Sequence, residues 1–359
     1  MGQRIEVLLG RVFLSLLVCV VCFAALERVS RRFFFSRPPI EQRYPVQFCR
    51  HPRPYSMFSG EPNARNLNEM GYRGKAPIVP KPRGEYRVFF LGGSTVFRGN
   101  PTIADLVEQR FHADGMANVR VYNFGVISSI SGMELARTVF EVADLSPNLV
   151  VMYNGGNDLL HPWTWDPRPG YPFNFIAYEN NPILDKDLKA YPAWPLFLYG
   201  SNVMRILLRP YFVERFVPLE RVRTECGYKT PEWRERVADA YVGNVVKTSL
   251  VAKAFGADFI AFYQPMVYYK ETLSDEEQLC GNAEEGEFAR QVRAMVLSKI
   301  AWYTGEDAPD FVDLTSIYAG DTTSVFIDAI HTKQEAKPLV ALAIYTHLAR
   351  FVDHYTQGQ

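Results

Sequence analysis

Five residues scattered along the chain are of the types that acyl transfer through serine requires: Ser94, Gly125, Asn157, Asp328 and His331. Such chemistry takes a nucleophile, a base for its proton, an acid to orient that base, and donors for the oxyanion. Ser94, in Gly92-Gly93-Ser94, supplies the hydroxyl, and His331 is the natural base. Asp328, three residues earlier, can lie beside the imidazole, accept Nδ1–H and hold the tautomer. The oxyanion donors would be the backbone N–H of Ser94, the backbone N–H of Gly125 and the side-chain amide of Asn157, each contributing roughly 3–4 kcal/mol to the transition state. Glycine at 125 lets the backbone approach a substrate oxygen closely. Taken alone, Ser94 reads more readily as a helix cap in an ordinary strand-to-helix loop, so its meaning depends on where the other pieces fall.

They fall at predicted strand ends. Tyr86-Arg87-Val88-Phe89-Phe90-Leu91 is an apolar run stopped by two glycines, the pattern of a strand buried on both faces of a parallel sheet. A helical stretch, Thr102 to His112, follows. Val119 to Phe124 reads as a second strand ending at Gly125, Met133 to Leu145 as a helix, and Asn148 to Tyr153 as a third strand ending in Asn154-Gly155-Gly156-Asn157-Asp158. Glu232 to Phe255 is a long helix feeding a fourth strand, Ala257 to Tyr263. Glu284 to Tyr303 is helical, Asp310 to Leu314 a fifth strand, and Thr332 to Tyr355 a closing helix. Strands alternating with helices predict a doubly wound parallel sheet, hence a three-layer α/β/α, flavodoxin-like sandwich. Open sheets of this kind place their sites at the carboxyl edge.

With these blocks in order, the chain resembles the SGNH/GDSL-type hydrolases. The matching motifs are FLGGSTV around Ser94, NFGV around Gly125, GGND around Asn157 and DAIH ending at His331, and the likeness runs from about Tyr86 to His347. NEMGYRG, residues 68–74, also resembles the lead-in of bacterial members with a GGST first block. One departure is Gly93, where the best-known members carry Asp before the serine; it bears on subfamily and substrate, not on the triad. The resemblance implies a serine esterase that removes small acyl groups from cell-envelope carbohydrate and needs neither metal nor organic cofactor. Two alternatives use the same cleft: an O-acyltransferase that modifies a polysaccharide, and a catalytically silent carbohydrate-binding protein of a polysaccharide-export assembly. Asp158, next to Asn157, reads as a loop brace through backbone N–H groups. His161 reads as a packing or surface residue and Lys333 as a solvated helix-start residue.

The rest of the chain sets boundaries on this reading. Lys+Arg and Asp+Glu balance at 39 each, which leaves no electrostatic footprint for nucleic acid. Of five cysteines, Cys19 and Cys22 lie in an apolar run, and Cys49, Cys226 and Cys280 permit one disulfide without demanding it. Val7 to Leu26 is about long enough to cross a bilayer and is read as an uncleaved anchor within residues 1–30, with a signal peptide as the competing reading. Arg28, Arg31, Arg32 and Arg37 follow it, against Arg4 and Arg11 before it, and by the positive-inside rule this would hold the remainder in the cytoplasm. The envelope resemblance argues instead for an extracytoplasmic, periplasmic domain. Residues 31–84 read as a Pro/Arg-rich linker and lead-in, and residues 85–355 as the hydrolase-like domain. Within that domain, residues 159–230 form an aromatic insertion, including Trp163, Trp165, Tyr171, Phe173, Tyr191 and Trp194, long enough to be a lid or a subdomain.

Overall fold

Tyr86–Gly92 (β1) is buried from end to end, as a strand with a neighbour on each side and helices over each face must be. The computed structural model describes residues 2–35, 51–173, 175–179, 200–211 and 217–357. It sets β1 between Val119–Gly125 (β2) and Leu149–Asn154 (β3), with Asp258–Tyr263 (β4) and Asp310–Asp313 (β5) beyond. Every pairing in this sheet is parallel and the order is β2-β1-β3-β4-β5, the flavodoxin-like order, whose winding reverses between β1 and β3. Gly92 lies opposite both Gly125 and Tyr153. The residues that follow these strands therefore emerge along one edge.

Side chains alternate between two cores, as the two-residue period of a strand requires. Phe89, Leu91, Val150, Met152, Phe259 and Ala261 enter one, which Met133, Trp233, Tyr241, Phe288 and Val292 close. Those residues belong to helices Ser131–Arg137, Pro231–Ala254 and Ala283–Ile300. Val88, Phe90, Val151, Ile260 and Phe262 enter the other core, closed by Val107, Phe111, Ile344 and Leu348 of helices Ile103–Ala113 and Lys337–Gln357. The result is a three-layer α/β/α sandwich. Arg87, the one charge in β1, is buried at its start; it pairs with Glu85 at 2.7 Å and donates to the Leu145 carbonyl at 2.8 Å.

Local signals fix most helix starts. Thr102 and Asp105 form a reciprocal capping box, with Asp105 N–H donating to Thr102 Oγ1 at 3.2 Å and Thr102 N–H to Asp105 Oδ2 at 2.8 Å. Thr230 caps a helix whose first residue is Pro231, where a missing N–H is harmless. Two helices depart from the sequence reading. The one expected to reach Leu145 is regular only over Ser131–Arg137, then widens into a π turn, Thr138–Val142, and tightens into a 3₁₀ turn. The closing helix, expected from Thr332, begins at Lys337. Thr332 bridges to Phe326, and Lys333 N–H donates to the Val325 carbonyl at 2.7 Å, so these residues are tied back to the preceding strand-like stretch and cannot coil.

The described part of the expected linker is packed structure. His51–Arg53 pairs antiparallel with Met57–Ser59, and Arg73 bridges to Asn123 along the free side of β2, covering a sheet edge that would otherwise be open. Tyr72 is fully buried, stacked on Phe124 with centroids 4.0 Å apart, and its hydroxyl donates to Glu141 at 2.6 Å.

The chain divides into two compact units: Ile40–Asn174 with Glu220–Gln359, which carries the sheet, and Met1–Pro39 with Phe175–Leu219. The aromatic insertion is therefore not one element. Its first part stays with the sheet unit, where Trp163 stacks on Phe288 at 4.8 Å and joins the main core instead of an insertion core of its own. Tyr191 and Trp194 lie outside the described residues. In the other unit, the N-terminal helix Gly2–Ser30 carries the one stretch among the described residues long and apolar enough to cross a membrane, Ile5–Phe33. Near its end the Glu27 carboxylate accepts from Ser201 Oγ at 2.9 Å and from the Asn202 and Val203 N–H groups.

Candidate active site

At the end of β1 the chain turns through Gly93 into a four-residue helix, Ser94–Phe97, that opens on the buried Ser94. The first N–H groups of a helix have no intrahelical acceptor, so the Ser94 N–H faces forward from the turn. Gly93 lies close under the Asn157 side chain. A Cβ there would stand 2.4 Å from Asn157 Nδ2, so the residue at which this chain departs from the GDSL pattern is the one that lets the Asn157 amide close on the serine turn.

Asn157 is the second residue of the helix Gly156–Thr164 after β3. Its Nδ2 donates one hydrogen to the Ser129 carbonyl at 2.7 Å; an amide nitrogen carries two, and the second has no acceptor among the described residues. Beneath it Asp158 is buried, accepting from Ser131 N–H at 3.1 Å and from Ser131 Oγ at 2.5 Å. This is the loop brace expected from sequence. Burial pushes its carboxyl up to about 6, against the Ser131 hydrogen bonds that lower it. Glu134, fully buried, is pushed up to about 7 by the same cause, with Arg137 opposing. Arg137 in turn donates to Ser129 Oγ at 2.6 Å.

His331 closes the chain of contacts. Ser94 Oγ–H donates to His331 Nε2 at 2.6 Å, and His331 Nδ1–H donates to Asp328 Oδ2 at 2.7 Å. The other carboxylate oxygen of Asp328 accepts the backbone N–H groups of Ile330 at 3.0 Å and His331 at 2.8 Å. Burial raises the Asp328 carboxyl, but the His331 side chain and these backbone donors outweigh it and hold it below the ordinary range. The sequence-expected nucleophile, base and acid are thus brought into one hydrogen-bonded row. In this arrangement a proton leaving Ser94 can pass to Nε2 while Asp328 balances the charge on the ring.

Gly125 stands differently from its expected place. Its N–H donates to Asn123 Oδ1 at 3.0 Å, and a Cβ would meet Phe97 N at 2.7 Å and Val96 Cβ at 2.9 Å. The glycine therefore answers close packing under the Ser94 helix, and its N–H is already engaged. Sequence reasoning passed over the loop just beyond it. Ser128 adopts a left-handed conformation, φ +65°, uncommon outside glycine, and Ser129 supplies the carbonyl that orients Asn157. The signal was present as three serines, Ser128, Ser129 and Ser131, within six residues of a strand end.

The remaining candidates take structural places. His161 is buried beside Phe173, centroids 5.6 Å apart. Lys333 pairs with Glu276 at 2.7 Å. Cys226 and Cys280 are free thiols, and Cys49 lies outside the described residues. Among the described residues, no group of three or more His, Cys, Asp or Glu could hold a metal ion.

No family model matches the chain, and no curated protein matches it. Several solved structures are similar. One is an acetyl xylan esterase, 12% identical with TM-score 0.41, covering 73% of this chain and 99% of its own. Another is the acetylxylan esterase of Geobacillus stearothermophilus, 14% identical with TM-score 0.41, covering 74% and 94%. A third is a GDSL-like lipase of Bacteroides thetaiotaomicron, 14% identical with TM-score 0.39, covering 77% and 92%.

Proposed function

We propose that the chain is an SGNH/GDSL-type serine esterase that removes small acyl groups from cell-envelope carbohydrate. The observation that carries this reading is the row Ser94 Oγ–His331 Nε2–Asp328, with both links at hydrogen-bond distance, 2.6 and 2.7 Å. Ser94 Oγ attacks the ester carbonyl as His331 takes its proton, and Asp328 holds the ring with Nδ1–H toward itself and Nε2 toward the serine. The carbonyl oxygen gains charge and is met by the Ser94 N–H and the free N–H of the Asn157 amide. His331 then protonates the departing alcohol, leaving an acyl-serine. Water, deprotonated by the same imidazole, attacks the acyl carbon, and the carboxylic acid leaves as Ser94 recovers its proton.

Hydrolysis of 4-nitrophenyl acetate by the full chain, together with fluorophosphonate labelling and mass spectrometry, tests the reading. Turnover lost in Ser94→Ala and a label on Ser94 are expected. A folded chain that neither turns over nor labels overturns it. The N-terminal helix serves in this proposal as a membrane anchor, with the sheet unit outside the cytoplasm. Protease added to intact spheroplasts should digest that unit, and full protection would place it inside.

A further inference from the structure

Groups that the serine chemistry leaves unused line a cavity beside the His331 ring. It measures about 190 Å³ and is walled on its polar side by Thr95, Arg98, His331, Gln334 and Lys337, the rest being mostly apolar. Since a water occupies about 30 Å³ of liquid, the space suits a small carboxylated group. Thr95 follows the proposed nucleophile and His331 is the proposed base, so a substrate seated at Ser94 reaches this space with whichever part lies nearest.

Its charge is one-sided. Lys337 is buried, 6% exposed, and its Nζ finds only a neutral acceptor, the Arg98 carbonyl. Burial first, then Arg73 and Arg98, push its amine down to about 8, with no carboxylate acting in the other direction. The Nε of Arg98 is buried and has no hydrogen-bond partner among the described residues. Arg73 reaches the same turn from outside, its guanidinium donating to the Gly99 carbonyl at 2.9 Å. Three cations thus converge on the segment after the Ser94 helix without a counter-ion among the described residues, in a chain whose formal charge is zero. A buried cation without a partner is costly and an unmet guanidinium N–H is a lost hydrogen bond, and a guanidinium beside an ammonium matches a carboxylate.

We propose that this cavity binds a carboxylate carried by the substrate, so that the preferred ester is anionic near its scissile bond. The inference rests on the esterase reading for the position of that bond. The carboxylate lies either on the acyl chain, as in a dicarboxylic half-ester, or on the sugar, as in a uronate.

Two substrate pairs separate these sources: 4-nitrophenyl acetate against mono-(4-nitrophenyl) succinate, and acetylated methyl glucoside against acetylated methyl glucuronoside, the latter followed by acetate release. The full chain should prefer the anionic member of one pair by about tenfold or more in kcat/KM, the worth of one charge-assisted hydrogen bond. Arg98→Ala should remove most of that preference, Arg98→Lys should restore part, and Lys337→Met should act like Arg98→Ala if it folds. No preference in either pair, or a preference unchanged in Arg98→Ala, overturns the proposal. If nothing is turned over, calorimetric titration of the full chain with succinate and glucuronate, against succinamide and glucose, still decides. Anion binding lost in Arg98→Ala upholds the site whatever the fluorophosphonate label says of the esterase reading, and no anion binding overturns the site.

Discussion

Ser94 and Asn157 stand at the ends of two strands buried on both faces, whereas Asp328 and His331 stand in a turn with no strand of its own. On the side of the proposed nucleophile (the nucleophile side) Ser94 is 4% exposed and Asn157 9%; on the side of the proposed base (the base side) the Asp328 side chain is 48% exposed. The first pair is positioned by the sheet: β1 and β3 are in ladder register up to Gly92 and Tyr153, and neither residue can move without the strands. The second pair is held by separate polar contacts. Ile327 N–H donates to the His331 carbonyl at 2.9 Å, and Val267 N–H to the Ala329 carbonyl at 3.0 Å. Val325 and Phe326 N–H groups donate to Glu277 Oε1 at 2.8 and 3.0 Å, and Glu277 pairs at 2.6 Å with Lys270, both side chains fully buried. A site so divided should fail in two ways: with the fold on one side, and by loosening of a single loop on the other.

The largest effects should come from the row itself and treat both sides alike. Ser94→Ala and His331→Ala should each cut the acylation rate by roughly 10³ or more, and the double variant should be little worse than either, because the two act as one unit. Asp328→Asn should cost less than either, since a base remains in the less favourable tautomer. Thermal midpoints near wild type would show that chemistry and not folding was lost.

Glu277 separates the two sides. Glu277→Ala leaves Lys270 buried and unpaired, which costs about 3–5 kcal/mol, and frees the two N–H groups that precede the His331 turn. Hydrogen exchange should accelerate over residues 323–332 well before residues 86–94. Equal acceleration in both stretches would mean that the site is held as one piece.

On the nucleophile side, Asn157→Ala should lower kcat by about 10²–10³ with little change in KM if, as proposed, its amide meets the oxyanion and not the ground-state ester. Gly93→Ala should lower kcat in the same direction by a smaller factor, as its Cβ would press on Asn157 Nδ2. A Gly93→Ala variant with unchanged kcat would show that the close approach has no part in the chemistry.

The division also explains what could be read from the sequence. The three central strands were legible because each is a short, largely apolar run bounded by turn residues, the outer two by their place between helical stretches, and Ser94 and Asn157 follow directly from where two of the strands end. Asp328 and His331 were legible by their spacing alone, and the turn that holds them was not, since its anchor Glu277 lies 48 residues from Val325 in sequence. The packing of the lead-in turns on single aromatics such as Tyr72, which carry no periodicity. Gly125 looked like a donor because its steric reason, the backbone N of Phe97, belongs to another strand's turn. Lys337 and Arg98 meet across 239 residues, and the cluster they form has no local signature at all.

The smallest effect tests the electrostatics under the nucleophile side. Glu134 and Asp158 are buried with carboxyls raised to about 7 and about 6, from ordinary values of 4.5 and 3.8. Each binds its proton more tightly in the folded state, so the stability it contributes is complete below its ordinary value and is lost as pH rises through its folded value. The base side runs the other way. Asp328 is held below its ordinary range and Glu277 is lowered to about 2, burial being outweighed by the Lys270 and backbone hydrogen bonds, so their contributions are lost only in stronger acid. Between about pH 8 and about pH 5 these two carboxyls therefore take up protons, opposed by His347, whose imidazole burial holds below its ordinary value, and protonating each carboxyl should add about 1–3 kcal/mol. The thermal midpoint of the full chain should rise on acidification across that window, and Glu134→Gln or Asp158→Asn should each flatten the rise while leaving the loss in stronger acid in place. A rise of the same size in both variants would mean that the protons are taken up elsewhere.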